Sequence, residues 1–155
     1  MLRPGYWLPV VCAVILSCSV RTTSEIPDQK SSAQLGDAYM SNLVNEEIAL
    51  AYSKMEASLR LQVTLGDMEA ALKNTLRECG APIDYELRHQ EIGWKLYPDG
   101  TRNPTRKLFY SVSTTKYARG RCVFSVEVVP DEGHLAVTSF APLTALGGRL
   151  PSWAR

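Results

Sequence analysis

Apolar residues in the first half of the chain recur at steps of three and four, the spacing of one helix face. Between residues 37 and 61 they form one stripe, made of Met40, Val44, Ile48, Ala51, Met55 and Leu59. Charged residues such as Glu46, Glu47 and Lys54 lie mostly away from that stripe. The pattern predicts one long amphipathic helix whose apolar face packs on a core.

A second, shorter helix is predicted over residues 67–78, where Met68, Leu72 and Leu76 make the apolar stripe. Either Thr64 or Asp67 can cap its first amides. Gly80 suits a left-handed C-cap, and a proline two residues later prevents the helix from resuming.

After residue 82 the period changes from helical to two, which is the alternation of β-strands. The alternating sets cover residues 92–96, 108–114, 122–128 and 134–141. Turn signals such as Pro98-Asp99-Gly100 separate them. Short turns favour an antiparallel meander. We therefore expect an α+β fold, with two N-terminal helices packed on one face of a four-stranded antiparallel meander.

The N-terminus has one basic residue, Arg3, followed by an apolar run over residues 7–17. The run is shorter than the about 20 residues that span a bilayer, and its order is that of a secretory signal. Ile15-Leu16-Ser17-Cys18 resembles a bacterial lipobox. The resemblance implies cleavage before Cys18 and acylation of its thiol, with palmitate among the attached chains. An ordinary cleaved signal peptide and a retained anchor are the two alternative interpretations.

These patterns divide the chain into a signal peptide (1–17), a flexible tether (18–34), an α+β domain (35–145) and an irregular tail (146–155). The tether is assigned because its polar composition cannot bury enough apolar surface to order itself. Ser19 follows the cysteine. By resemblance to sorted lipoproteins, this implies an outer-membrane lipoprotein that faces the periplasm.

Cys79 and Cys122 are the cysteines that remain outside the signal. An even pair in an exported domain is most simply a disulfide. Two free buried thiols and a metal site are the alternatives, and a metal site needs more ligands at suitable spacing. The strand pattern places Cys122 on the face of Phe124 and Val126, which should point toward the helices.

The 155 residues carry 17 basic and 16 acidic side chains, a formal charge of +1 that falls to about zero once Arg3 is removed. No global basic field would recruit nucleic acid. No phosphate-binding loop, dinucleotide fingerprint or hydrolase motif is present in the sequence. His89 and His134 lie in polar surroundings. We expect no catalytic residue, cofactor or metal.

Basic and aromatic residues crowd the turns on either side of the second predicted strand. This candidate partner surface comprises Tyr97, Arg102, Arg106, Lys107, Tyr117, Arg119 and Arg121. Arginine and tyrosine are enriched at protein interfaces. A solvated hairpin whose charges guard exposed strands is the alternative interpretation.

The stretch from Leu65-Gly66-Asp67-Met68 to Gly80-Ala81-Pro82 is similar to the SmpA/OmlA domain of small outer-membrane lipoproteins. The resemblance covers residues 64–97 and implies a non-catalytic assembly protein. We therefore expect a non-enzymatic envelope lipoprotein that binds another envelope protein. The alternative is an immunity or inhibitor protein against a cell-wall hydrolase or toxin.

Overall fold

The computed structural model describes residues 25–119 and 121–144. They form four helices, α1 (Gln29–Val44), α2 (Ile48–Ser53), α3 (Ala57–Arg60) and α4 (Leu65–Cys79). Four strands follow, β1 (Pro82–Leu96), β2 (Arg102–Thr114), β3 (Cys122–Asp131) and β4 (His134–Thr144). The predicted signal, Cys18 and the tail from residue 146 lie outside the described residues.

The fold is α+β, and its sheet is the predicted antiparallel meander with strand order β1-β2-β3-β4. Helices precede strands along the chain, as expected. Every predicted alternating set falls within one strand of the sheet. The meander follows from short turns, in which Gly100 and Gly133 adopt positive φ angles of 82° and 86°.

The single long helix predicted over residues 37–61 is wrong. The chain is helical from Gln29, earlier than expected, so α1 includes the last residues of the predicted tether. It then breaks at Glu46, whose φ of 60° is left-handed, and again over residues 54–56. The second break exists because Met55 bridges to Val137 of β4, so backbone pairing with the sheet replaces helical bonds there.

The predicted second helix is present as α4, and the residues that cap its two ends explain where it begins and ends. Thr64 caps the helix, and Asp67 bonds back to the Thr64 backbone amide to complete a capping box. Gly80 ends the helix with a φ of 82°, a conformation that a residue with a side chain rarely adopts.

The core lies between the helices and one face of β2, β3 and β4. Its fully buried side chains include Tyr39 and Met40 of α1, Leu108 and Tyr110 of β2, and Phe124 of β3. Gly36 lets α1 pass directly over β2, because a Cβ at that position would overlap the side chains of Leu108 and Tyr110. Among the described residues, no helix is both long and apolar enough to cross a bilayer.

Candidate partner-binding surface

The residues predicted to form one partner surface lie at two separate places. Tyr97 and Arg102 flank the turn between β1 and β2, whereas Tyr117, Arg119 and Arg121 belong to the segment between β2 and β3. Because β2 has 13 residues and a strand rises ~3.3 Å per residue, the two places are about 40 Å apart along the strand. A partner that contacts all seven residues would have to span this length, and the seven-residue surface stays a prediction.

Tyr97 is tied into a buried polar cluster. Its hydroxyl donates to Glu56 Oε1 over 2.7 Å, and Thr138 donates to Glu56 Oε2 over 2.7 Å. Lys95 forms an ion pair with the same carboxylate, whose side chain is only 4% exposed. Burial alone would raise the pKa of Glu56, but these hydrogen bonds outweigh it and lower the pKa below its ordinary value.

At the far end of β2, Arg119 is engaged within the molecule. Its guanidinium pairs with Asp84 and lies 3.1 Å from Glu86, both on β1. All three side chains are largely exposed, so these pairs contribute little to stability. Arg121 is exposed near them. This end corresponds to the alternative interpretation of a solvated hairpin.

Arg106 and Lys107 are neighbours in β2, so their side chains point to opposite faces of the sheet. Arg106 Nε donates to the carbonyl of Pro27 over 2.9 Å, which holds the segment before α1 against the sheet. Lys107 Nζ lies 5.5 Å from the centre of the Phe109 ring on the other face. Both cations therefore contact other groups of the protein.

Three large apolar side chains on β1, which we call the β1 stripe, were predicted as part of a strand but not as a candidate site: Ile92, Trp94 and Leu96. They alternate along the strand and face the helix side of the sheet, yet they are 51%, 57% and 67% exposed. Their alternation predicted a buried strand face. No described helix covers this part of the face, and a strand pattern alone carries no signal of that absence.

One cation of the predicted set borders the β1 stripe. Arg102 pairs with Leu96 across the two strands, and its guanidinium lies 5.6 Å from the centre of the Trp94 ring. Within the described residues, Arg102 has no carboxylate at ion-pair distance. The arrangement joins an exposed indole, two aliphatic side chains and an unpaired guanidinium in one patch.

The strand that carries the stripe is firmly held. Lys95 lies between Trp94 and Leu96 and therefore points to the opposite face, where it binds Glu56 and donates to the Thr138 hydroxyl. Thr138 belongs to β4, so side chains from the first and last strands converge on Glu56. These contacts tie the end of β1, which carries the stripe, to the rest of the fold.

β1 is also an open edge of the sheet. β2 is the only described strand that pairs with it. β4, at the other edge, is partly covered, because Glu56 N–H donates to Val137 O over 2.9 Å and Val137 N–H donates to Lys54 O over 2.8 Å. An uncovered edge offers backbone donors and acceptors to another strand.

Cys79 and Cys122 are both buried in the core beside each other, as the predicted strand face required. They are free thiols in the structure, which corresponds to the alternative of two buried thiols and not to the predicted disulfide. Burial, followed by contact with Cys79, raises the pKa of the Cys122 thiol to about 12. A neutral thiol of this kind is a poor nucleophile.

The histidines lie at the sheet surface, each near a carboxylate. His89 Nε2 is 4.0 Å from Glu91, and His134 Nε2 is 3.9 Å from Asp131. Across residues 25–119 and 121–144, no three side chains of the metal-binding types are grouped as a metal site would require.

Comparison with known proteins gives little. No protein-family model matches the chain, and no curated protein sequence matches it. Among solved structures, it is similar to the 1.8 Å structure of Aln2 from a Streptomyces species, at 15% identity and a TM-score of 0.47. That similarity covers 77% of this chain and 94% of Aln2. Similarity at this level supports no conclusion about the fold or the activity of this chain.

Proposed function

We propose that this chain is a non-enzymatic envelope lipoprotein that binds an extended segment of another envelope protein through the β1 stripe and Arg102. Cys18 would hold it on the outer membrane by its acyl chains, facing the periplasm. The partner segment would lie along the free edge of β1 and place apolar side chains on Ile92, Trp94 and Leu96.

The observation that carries this proposal is the contiguous exposure of the β1 stripe. Scattered exposed apolar residues are ordinary on soluble proteins, but a row of three on a rigid strand is not. An indole and a neighbouring arginine are also the side chains that most often dominate a binding energy. A strand partner would bury the stripe and satisfy the open edge together.

The open edge favours a protein over a lipid bilayer as the occupant. Exposed tryptophan, isoleucine and leucine beside an arginine are also found at membrane surfaces. Hydrocarbon, however, cannot bind the unpaired backbone groups of an edge strand, so inserting this edge would be costly. A second strand supplies the missing donors and acceptors.

Charge suggests what else the partner carries. The guanidinium of Arg102 has no ion pair within the described residues. Arg106, by contrast, lies near Asp28. Hydrogen bonds from Ser31 lower the pKa of the Asp28 carboxyl most, and the charge of Arg106 lowers it further. Arg102 is therefore a cation beside the β1 stripe that a partner can neutralise. We expect an aspartate or glutamate of the partner segment opposite it.

The alternative function, immunity to or inhibition of a cell-wall hydrolase or toxin, required basic and aromatic hairpins that enter an acidic cleft. Two of these hairpin residues are already engaged within the protein, because Arg119 is paired with Asp84 and Tyr97 with Glu56. The support for this alternative is therefore weaker than that for the β1 stripe. The β1 stripe fits an extended partner segment at least as well as the acidic cleft of a hydrolase, so it adds no support to this alternative.

Site-specific crosslinking tests the proposal in cells that express the full chain. A photoreactive benzoylphenylalanine replaces Leu96 in one strain and Ile83 in another, which is 60% exposed on the same strand but outside the stripe. We expect one crosslinked envelope protein from position 96, absent from position 83, and lost when Arg102→Glu is added. Equal crosslinking at both positions would contradict a specific surface.

A vesicle assay separates the bilayer from a protein as the occupant. The full chain carrying Cys18→Ser, which removes the predicted acylation site, is floated with phosphatidylethanolamine–phosphatidylglycerol vesicles. We expect the same floating fraction for this protein with or without Trp94→Ala. A floating fraction that depends on Trp94 would assign the stripe to the membrane and overturn the protein partner.

A further inference from the structure

A second feature, away from the β1 stripe, is a cavity of about 280 Å³ between α4, β4 and the segment that contains α3. Apolar side chains make most of its wall. They are Tyr39, Met55, Leu59, Val63, Met68, Ala71, Leu72, Phe140 and Pro142. Asp67, Thr75 and Ser139 supply the polar part of the wall.

Two features of the segment that contains α3 leave this space unfilled. α3 is a single turn that buries none of its side chains, so it does not fill the space beneath it. The Tyr52 hydroxyl lies 3.1 Å from the carbonyl of Arg60 and 2.9 Å from that of Val63. Through these contacts the Tyr52 side chain ties the turn after α3 to α2.

The size of the cavity limits what it can hold. An apolar cavity of about 150 Å³ stays dry and binds one benzene ring. The present cavity has nearly twice that volume, so a two-ring aromatic or a short alkyl chain would fill it. Dedicated ligand pockets begin near ~300 Å³, which places this cavity at the small end of that class.

The polar groups limit the charge of the ligand. Asp67 stays ionised, since hydrogen bonds from Thr64 lower its pKa, and it would repel a carboxylate or a phosphate at the cavity. Thr75 donates its hydroxyl proton to the Ala71 carbonyl over 3.2 Å and keeps its lone pairs free. Tyr39 is 1% exposed, and burial raises the pKa of its hydroxyl, so this group stays protonated and able to donate.

We infer that this cavity binds an uncharged, mainly apolar small molecule with one hydroxyl or carbonyl group. The apolar wall supplies affinity through burial. The hydroxyls of Thr75 and Tyr39 offer one acceptor and one donor for the polar group. Asp67 disfavours fatty acids and other anions, so a neutral alcohol should bind more tightly than the corresponding acid.

Cavity-filling variants test the inference without disturbing the core. Ala71 lines the cavity from the exposed side of α4, and Ala70 is exposed on the same helix but does not line it. Ala71→Trp should fill the cavity, and Ala70→Trp is its matched control. Thr75→Trp, one turn further along the same wall, is the second filling variant in case Ala71→Trp does not fold.

The probe is prodan, an uncharged two-ring naphthyl ketone whose fluorescence depends on the polarity of its surroundings, titrated against the full chain carrying Cys18→Ser and each variant. We expect saturable binding to the parent chain and to Ala70→Trp, and at least about a tenfold loss of affinity in a filling variant that retains the parent melting temperature. Decanol should displace the probe at much lower concentration than decanoate. Probe affinity that is unchanged in the filling variants, or equal displacement by decanol and decanoate, would overturn the inference.

Discussion

The two edge strands of the sheet differ in how much of each is covered. β4 receives backbone bonds from residues 54–56 and contributes the buried side chains of Ala136 and Val137. The end of β1 also carries apolar side chains, but it leaves Ile92, Trp94 and Leu96 exposed. Alternation thus identifies which side chains share a face, whereas burial depends on whether another element covers that face.

The largest expected effect concerns the ion pair that holds the end of β1. Glu56→Ala leaves Lys95 and Thr138 without their buried carboxylate, and breaking such a buried pair costs about 3–5 kcal/mol. Asp84→Ala removes a carboxylate from the exposed pair with Arg119, where we expect about 1 kcal/mol or less. Urea unfolding of both variants measures the difference. Equal costs would contradict an anchored β1.

A matched pair of leucines tests the covered and uncovered parts of the same sheet face. Leu108 is fully buried on β2, and Leu96 is 67% exposed on β1. Leu108→Ala should lower the free energy of unfolding by about 2–5 kcal/mol. Leu96→Ala should change it by about 0.5 kcal/mol or less. A large cost for Leu96→Ala would show that the end of β1 is covered in solution.

The pH dependence of unfolding provides a smaller effect. The folded pKa of Glu56 lies below its ordinary value of 4.5. Its contribution to stability is therefore present above the unfolded pKa and is lost as the pH falls through the folded pKa. We expect urea midpoints to fall as the pH decreases below about 4.5, and to fall less steeply in Glu56→Gln. Parallel pH profiles for the two proteins would assign acid sensitivity to other carboxyls.

Counting the free thiols of the buried pair Cys79 and Cys122 tests whether the protein is exported. Cys79, the last residue of α4, and Cys122, the first residue of β3, contact each other in the core as free thiols. The covalent bond stays a prediction for a protein exported to an oxidising compartment. We expect no reactive thiol from this pair in envelope protein that is unfolded without reduction. Two reactive thiols would contradict that oxidation.

Local sequence signals predicted the elements that depend on neighbouring residues. The Thr64–Asp67 capping box and Gly80 define α4 because each acts on backbone groups within a few residues. Alternation and turn residues locate part of each strand, but β1 begins at Pro82, ten residues before the predicted set. The break at residues 54–56 was not predicted, because it depends on pairing with Val137, which is distant in sequence.

The candidate site was predicted only in part, for the same reason. Arg102 was identified from its composition, and it does border the β1 stripe. Tyr97 was assigned to the surface, but its hydroxyl is used by Glu56, forty-one residues earlier in the chain. Exposure of the stripe depends on where the helices end over the sheet, and no pattern within β1 carries that information.

The central claim is that the β1 stripe serves binding and not folding. The most direct test measures, on the same Trp94→Ala protein, the affinity for the crosslinked partner and the free energy of unfolding. We predict that affinity falls at least about tenfold, as expected for an interface hot spot, while the free energy of unfolding changes by about 0.5 kcal/mol or less. Full affinity in a folded Trp94→Ala protein would contradict the claim.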